Sequence, residues 1–340
     1  MSLKNFITQM PKVELHVHLE GAIEPATLLK LAKKHKIDLP ATTVEGLQSW
    51  YKFKDFPHFV EIYLTISSCL RTPEDIELIT REFLIGQASQ NIRYSEVTYT
   101  AYTHYKFRNI TFDEQLAAIN RARDWAKNEY KIDMALIIDI PRNISPKEGL
   151  LVADWVISAK NDGVVALGLG GPEVGYPAEL HKDAFEKILN AGLTSIPHAG
   201  ETVGAESIWS ALTHLGAKRI GHGVRCLEDP KLVDYLKQHQ IPLEVCPTSN
   251  ICLQVAASLS EHPLPKLLEA GLYITINSDD PPMFNTTLTE EFLKITDEFN
   301  FSDEQIKQLV LNGVNASLLE KTQKESLLAN FKEDFQKLAR

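Results

Sequence analysis

Val13-Glu14-Leu15-His16-Val17-His18-Leu19-Glu20-Gly21 reads as a short apolar β-strand that ends on a glycine. Side chains along a strand alternate faces, so His16 and His18 leave the same side and their imidazoles converge on one point. Two neutral imidazoles sharing a point suit a transition metal, with Zn2+ the commonest partner of nitrogen ligands and carboxylate oxygens. A His-x-His pair also arises by chance, so residues far downstream decide between the two readings.

Outward from this strand, further short β-rich runs occupy 92–99, 133–140, 164–170, 194–198, 219–222, 242–246 and 273–277, each separated from the next by a helical or loop crossover. Strands alternating with helices form parallel βαβ units, and eight of them fit a closed (β/α)8 TIM barrel better than an open doubly wound sheet. The helix starts agree. Ser145-Pro146-Lys147-Glu148 supplies a cap, a proline at the first helical position and a carboxylate for a capping box. Ser302 to Gln305 repeats that logic with a hydrophobic staple between Phe301 and Ile306, and Thr72-Pro73 opens another helix.

Two regions exceed a minimal barrel. The connection over 22–91 is far longer than one crossover helix and carries Trp50, Tyr51, Phe53, Phe56, Phe59 and Tyr63 at roughly helical spacing. It is either an ordinary packed helical excursion or a partly apolar lid over the barrel mouth, because the loop after the first strand opens on the face where such barrels work. The charged tail over 288–340, ending in Lys337-Leu338-Ala339-Arg340, reads as C-terminal helices packed on the barrel. With no internal repeat, low-complexity segment or linker, the expectation is one domain over 1–340.

Composition narrows the function. The 340 residues include 35 Lys+Arg and 45 Asp+Glu, a formal net charge of −10, with 44% hydrophobic residues. An acidic balance argues against nucleic acid and anionic membranes as partners and favours small molecules. Cys69, Cys226, Cys246 and Cys252 form no CxxC, so neither a disulfide framework nor a thiolate zinc site is indicated. The N-terminal residues lack the apolar core of a signal peptide and no apolar run approaches bilayer-spanning length, so the expectation is a soluble cytoplasmic protein.

Chemistry in such barrels sits at the C-terminal ends of the strands. There the sequence places His198-Ala199-Gly200-Glu201, Gly221-His222-Gly223 and Asn277-Ser278-Asp279-Asp280-Pro281. Together with His16 and His18, this gathering is hard to explain as packing and points to a metal-dependent catalytic site.

The set His16-Val17-His18, His198-Ala199-Gly200-Glu201, His222-Gly223 and Ser278-Asp279-Asp280-Pro281 resembles the adenosine deaminase family of the amidohydrolase superfamily, in order and spacing over nearly the whole chain. The resemblance implies that His16, His18, His198 and Asp279 bind one Zn2+ per chain. It implies that Glu201 protonates the purine N1, that His222 orients and deprotonates the metal-bound water, and that Asp280 hydrogen-bonds N7. It places Gly171 where a backbone amide meets N3. Physical chemistry reaches similar roles: a zinc ion lowers the pKa of bound water to roughly 7, and expelling an amine from an aromatic ring needs a carboxylic acid, kept protonated by poor solvation, to deliver a proton to the ring nitrogen. By the residues alone, His222 could also be a fourth imidazole ligand.

Competing classes fit less well. A binuclear hydrolase of this superfamily would need a carboxylated lysine at the end of the fourth strand, which here ends in Gly170-Gly171. The small zinc deaminases need Pro-Cys-x-x-Cys, which is missing. The glycines at 168, 170 and 171 lack the third glycine of a dinucleotide loop. A non-catalytic nucleoside sensor would have lost a ligand or the acid, and neither is lost.

The lead expectation for substrate is a 6-aminopurine nucleoside, deaminated as adenosine is to inosine. Nucleoside-specific members, however, carry Asp where this chain has Glu20, one methylene longer, at the position that meets the ribose 5′-hydroxyl. Relatives acting on free adenine share His-x-His-Leu-Glu. The runs Gly168 to Glu173, Glu244 to Asn250 and Asn277 to Phe284 are similar to a bacterial group that includes aminodeoxyfutalosine deaminases of menaquinone biosynthesis. Adenine and aminodeoxyfutalosine are therefore the alternatives.

Overall fold

The computed structural model describes residues 2–338; Met1 and the tail residues Ala339 and Arg340 lie outside it. Eight parallel strands run in chain order around one sheet: β1 (Lys12–His18), β2 (Ile92–Tyr99), β3 (Asp133–Pro141), β4 (Val164–Gly170), β5 (Thr194–Ala199), β6 (Ile220–His222), β7 (Leu243–Val245) and β8 (Ile274–Ile276). With helices outside, this is a (β/α)8 TIM barrel, the architecture that the alternation of strands and helices predicts.

The second half departs from the expected bounds in detail. The last three strands are ladders of three residues each, because their ends leave the sheet early: Pro247 starts a helix directly after Cys246, and Asn277 pairs through its side chain. The seam between the last strand and the first is closed by that side chain, whose Oδ1 accepts from the backbone N–H groups of Leu15 at 2.9 Å and His16 at 3.2 Å. Beyond it, Asp279 N–H donates to the His16 carbonyl and His18 N–H to the Asp279 carbonyl. The seam thus docks the Asp279 segment against the His-x-His strand.

Local signals explain the helices that hold this frame. Ser145 Oγ accepts from Glu148 N–H while the Glu148 carboxylate accepts from Ser145 N–H at 2.9 Å, and Ser302 and Gln305 do the same. Phe301 and Ile306 are both buried in the main core. Thr72 opens its helix with Asp75 closing the capping box. The excursion over 22–91 folds as helices Pro25–His35, Val44–Trp50, Phe56–Ser67 and Pro73–Ser89. Within it Tyr51 is buried in the core, whereas Phe56, Phe59 and Tyr63 line the cavity at the barrel mouth. The tail forms helices Leu288–Phe299, Asp303–Ala316 and Lys321–Leu338. The middle one crosses the first strand at Gly313, where a Cβ would come within 2.7 Å of Val13.

Candidate active site

Four of the sequence-predicted residues meet at the mouth of the barrel. His16 and His18 leave one face of β1, His198 comes from β5 and Asp279 from the seam after β8. His18 Nε2 and His198 Nε2 lie 3.1 Å apart, and Asp279 Oδ1 is 3.4 Å from His16 Nε2 and 3.3 Å from His18 Nε2. One ligand atom from each of the four falls within 4.8 Å of the others, and all four residues are buried. The backbone is bent to achieve this: Asp279 and His222 hold φ at +65° and +62°, a left-handed conformation that costs non-glycine residues about 1–3 kcal/mol and concentrates at functional sites. Gly21 completes the approach, since a Cβ there would sit 1.6 Å from Asp280 Oδ1.

The electrostatics of the cluster fit a cation. Burial opposes charge on His16 and His18, yet Asp279 and Glu244 outweigh it at His16 and Asp280 and Asp279 at His18, raising them to about 10 and about 9. This point in the fold therefore draws positive charge. Burial and the neighbouring imidazoles push His198 well below its usual range, leaving it neutral, while the imidazole neighbours hold Asp279 ionised in spite of burial. His16 Nε2 has no hydrogen-bond partner among the described residues. Three imidazoles and an ionised carboxylate facing one point form a donor set suited to a divalent, nitrogen-preferring ion. Cys246 lies nearby, but burial and the Asp279 charge hold its thiol protonated.

Three further predicted residues surround this cluster. Glu201 is buried, and desolvation together with Asp279 and Glu173 raises its carboxyl well above the usual range, so it is an acid at neutral pH. Asp280 is raised for similar reasons, burial and then Asp279. His222 Nε2 stands 3.7 Å from Glu201 Oε1 and 3.9 Å from Asp279 Oδ2, and burial lowers it to about 4, keeping it neutral. A hydrogen-bond chain sets its tautomer. Leu264 N–H donates to His262 Nδ1, so His262 Nε2 carries the proton donated to Asn250 Oδ1 at 3.0 Å. Asn250 Nδ2 then faces His222 Nδ1 at 3.4 Å, and the proton of neutral His222 is left on Nε2. Gly171, with φ +89°, lines the cavity beside Pro172.

Glu20 departs from its expected place. Its carboxylate does not line the cavity; it is fully buried and accepts from Tyr63 Oη at 3.2 Å, Thr100 N–H at 3.1 Å and His104 Nε2 at 3.1 Å. Three protein donors thus meet this carboxylate, two on Oε1 and one on Oε2.

Several supporting residues escaped the sequence reading. Glu244 Oε2 accepts from His16 Nδ1 at 2.9 Å, orienting the imidazole as outer carboxylates orient metal-binding histidines. The signal was a lone acid inside the apolar strand Leu243–Val245. Glu173 accepts from the N–H groups of Gly200, Glu201 and Thr202 at 3.0, 2.9 and 2.8 Å and from the Ser207 hydroxyl, shaping the loop that carries Glu201. Nothing in the sequence pattern marks the His262–Asn250 chain. Around these groups lies a cavity of about 870 Å3 counted to its open mouth, with Phe56, Phe59, Val60, Leu64 and Leu253 as an apolar wall.

The adenosine deaminase family model matches residues 11–334. The chain belongs to the adenosine deaminase family. It is accordingly a hydrolase of carbon–nitrogen bonds in cyclic amidines, of a metal-dependent type. Among curated proteins it is 40% identical over 333 residues to the aminodeoxyfutalosine deaminase of Streptomyces avermitilis, covering 96% of this chain and 92% of that one. The crystal structure of adenine deaminase from Arthrobacter aurescens superposes with a TM-score of 0.91 at 31% identity, covering 96% of this chain and 99% of that one. An amidohydrolase from Burkholderia ambifaria, solved with bound Zn, superposes with a TM-score of 0.92 at 25% identity, covering 100% and 94%.

Proposed function

We propose that this enzyme hydrolyses the 6-amino group of a purine nucleoside extended at its 5′ position, of the aminodeoxyfutalosine type, releasing ammonia. The observation that carries this reading is the cage around Glu20, which is fully buried, lies off the cavity lining and already meets Tyr63, Thr100 and His104, so it is poorly placed to take the 5′-hydroxyl of plain adenosine. The cavity opens to solvent beside an aromatic wall, where a 5′ extension can be placed, and the 40% identical relative bears that activity in its name. Free adenine is the second reading, favoured by the structural likeness to an adenine deaminase.

The chain works as one domain over 1–340, and its acidic balance and free cysteines suit the cytoplasm; none of its described helices is long and apolar enough to cross a membrane. One Zn2+ held by His16, His18, His198 and Asp279 supplies the Lewis acidity that makes hydroxide available near neutral pH. Glu201 keeps a proton in a poorly solvated position and delivers it to the purine N1 as hydroxide adds at C6; the carboxylate so formed then takes the proton of the new C6 hydroxyl and returns it to the amino group, which leaves as ammonia while C6=O forms. Asp280, kept protonated by burial and Asp279, donates to N7, and the Gly171 amide donates to N3. His222 presents an N–H, which suits holding the attacking oxygen by donation; in this reading the deprotonating role implied by the family falls away.

A substrate panel followed by the loss of adenine absorbance tests the assignment. The expected order of kcat/KM is aminodeoxyfutalosine above adenosine and adenine. Adenosine or adenine as the best substrate would overturn the 5′-extended reading.

A further inference from the structure

One carboxylate on the cavity wall has no place in the chemistry above. Asp139, near the C-terminal end of β3, lines the cavity and is 3% exposed. Its Oδ1 has no hydrogen-bond partner, and no Lys, Arg or His pairs with it among the described residues. The neighbouring strand makes room for it: a Cβ at Gly170 would come within 2.6 Å of Asp139 Oδ2, and one at Gly168 within 3.1 Å of its Cβ. A buried carboxylate with one oxygen unpartnered, in a space cleared by two glycines and favoured in its charged form only weakly by the Thr100 hydroxyl and its own backbone, is costly unless something else supplies donors.

The order of groups around the barrel says what supplies them. Glu201 follows β5, Gly171 follows β4 and Asp280 follows β8. If these meet N1, N3 and N7, the purine ring is laid around the mouth in the same sense as the strands. The remaining nitrogen, N9, then falls between Gly171 and Asp280 on the side of β3, β2 and β1, and Asp139 is the next polar group past Gly171. Thr100, Thr103 and Asn143, which follow β2 and β3 in the chain, also line the cavity, whereas the lining phenylalanines belong to the helix Phe56–Ser67 after β1.

We propose that Asp139 is a specificity-determining residue that accepts hydrogen bonds from the ribose 2′- and 3′-hydroxyls of the substrate. The inference rests on the ring orientation proposed above and adds the sugar to it. It separates two tasks in the pocket: a polar wall at the ends of β2 and β3 reads the sugar, and the apolar wall takes the 5′ extension.

The test compares wild type with Asp139→Ala and Asp139→Asn on 5′-deoxyadenosine and on its analogue lacking both ring hydroxyls. For the Ala variant, kcat/KM on 5′-deoxyadenosine should fall by roughly 10–10²-fold, the value of a hydrogen bond to a charged group, chiefly through KM. On the dideoxy analogue it should be little changed. Calorimetric affinity for the product 5′-deoxyinosine should fall by the same factor. The Asn variant should keep its zinc and melt no lower than wild type, because it relieves a buried charge. Equal losses on both nucleosides, no loss on either, or a lowered melting temperature would overturn the role of Asp139 while leaving the nucleoside reading standing. A wild type that deaminates free adenine and no nucleoside would overturn both.

Discussion

Two levels of the barrel interior use ionisable side chains in opposite ways. In the floor, Arg219 donates to Glu96 Oε2 and Glu244 Oε1, each at 2.6 Å, and to the Ala316 carbonyl at 2.9 Å. At the mouth, His16 Nε2, Asp139 Oδ1 and Asp280 Oδ1 are buried and have no hydrogen-bond partner among the described residues, His16 Nε2 facing Asp279 at 3.4 Å. The floor pairs these charges with one another, although Arg219 Nη2 has no partner among the described residues, and that pairing favours one packing of β2, β6 and β7. The mouth leaves its groups open at about 1–3 kcal/mol each in unrecovered desolvation, which only a ligand offsets. Glu244 joins the levels, one oxygen on Arg219 and the other on His16. Burial alone does not separate structural from functional charge in this protein.

Breaking the mouth should remove function with little loss of fold. His198→Ala should abolish both metal and turnover, read by elemental analysis and assay; wild-type protein with two metals per chain, or a variant that keeps its metal, would refute the ligand set. Glu201→Gln keeps the shape without the proton, so kcat should drop by about 10²–10⁴-fold at unchanged zinc content. In the wild type, turnover should decline as pH rises through the raised pKa of that carboxyl, because only its protonated form is the acid.

Breaking the floor should do the reverse. Arg219→Met leaves Glu96 and Glu244 buried without their cation and should destabilise the protein by about 3–5 kcal/mol in urea denaturation. Through Glu244 and His16 it should also weaken zinc binding, by about 10–100-fold. A variant of wild-type stability would erase the contrast between the levels. A separate effect belongs to Lys12, a buried charge whose Nζ donates to the carbonyls of Met10 and Gln90. Burial lowers it to about 7, below the unfolded value of about 10.4, so the unfolded chain binds the extra proton across that window. Stability from this group therefore rises with pH from about 7 to about 10, by at most about 1.4 kcal/mol per pH unit. Lys12→Met should flatten the pH dependence of the urea midpoint relative to wild type.

By itself the sequence determined the barrel and the residues gathered at its mouth. Both are carried by local regularities: the period-two pattern that sends His16 and His18 to one face, the capping boxes at Ser145 and Ser302, and the rule that strand ends converge. Family motifs added candidate roles. Tertiary structure alone decided which acids are free. Glu20 and Asp139 are both acids near strand ends, and no spacing says that Tyr63, Thr100 and His104, dozens of residues away, close on the first and leave the second open. Likewise the proton of His222 is placed by Asn250 and His262, from outside its own strand. Side-chain direction follows from local backbone geometry, whereas hydrogen-bond satisfaction depends on groups that only the folded chain brings within 3 Å or so.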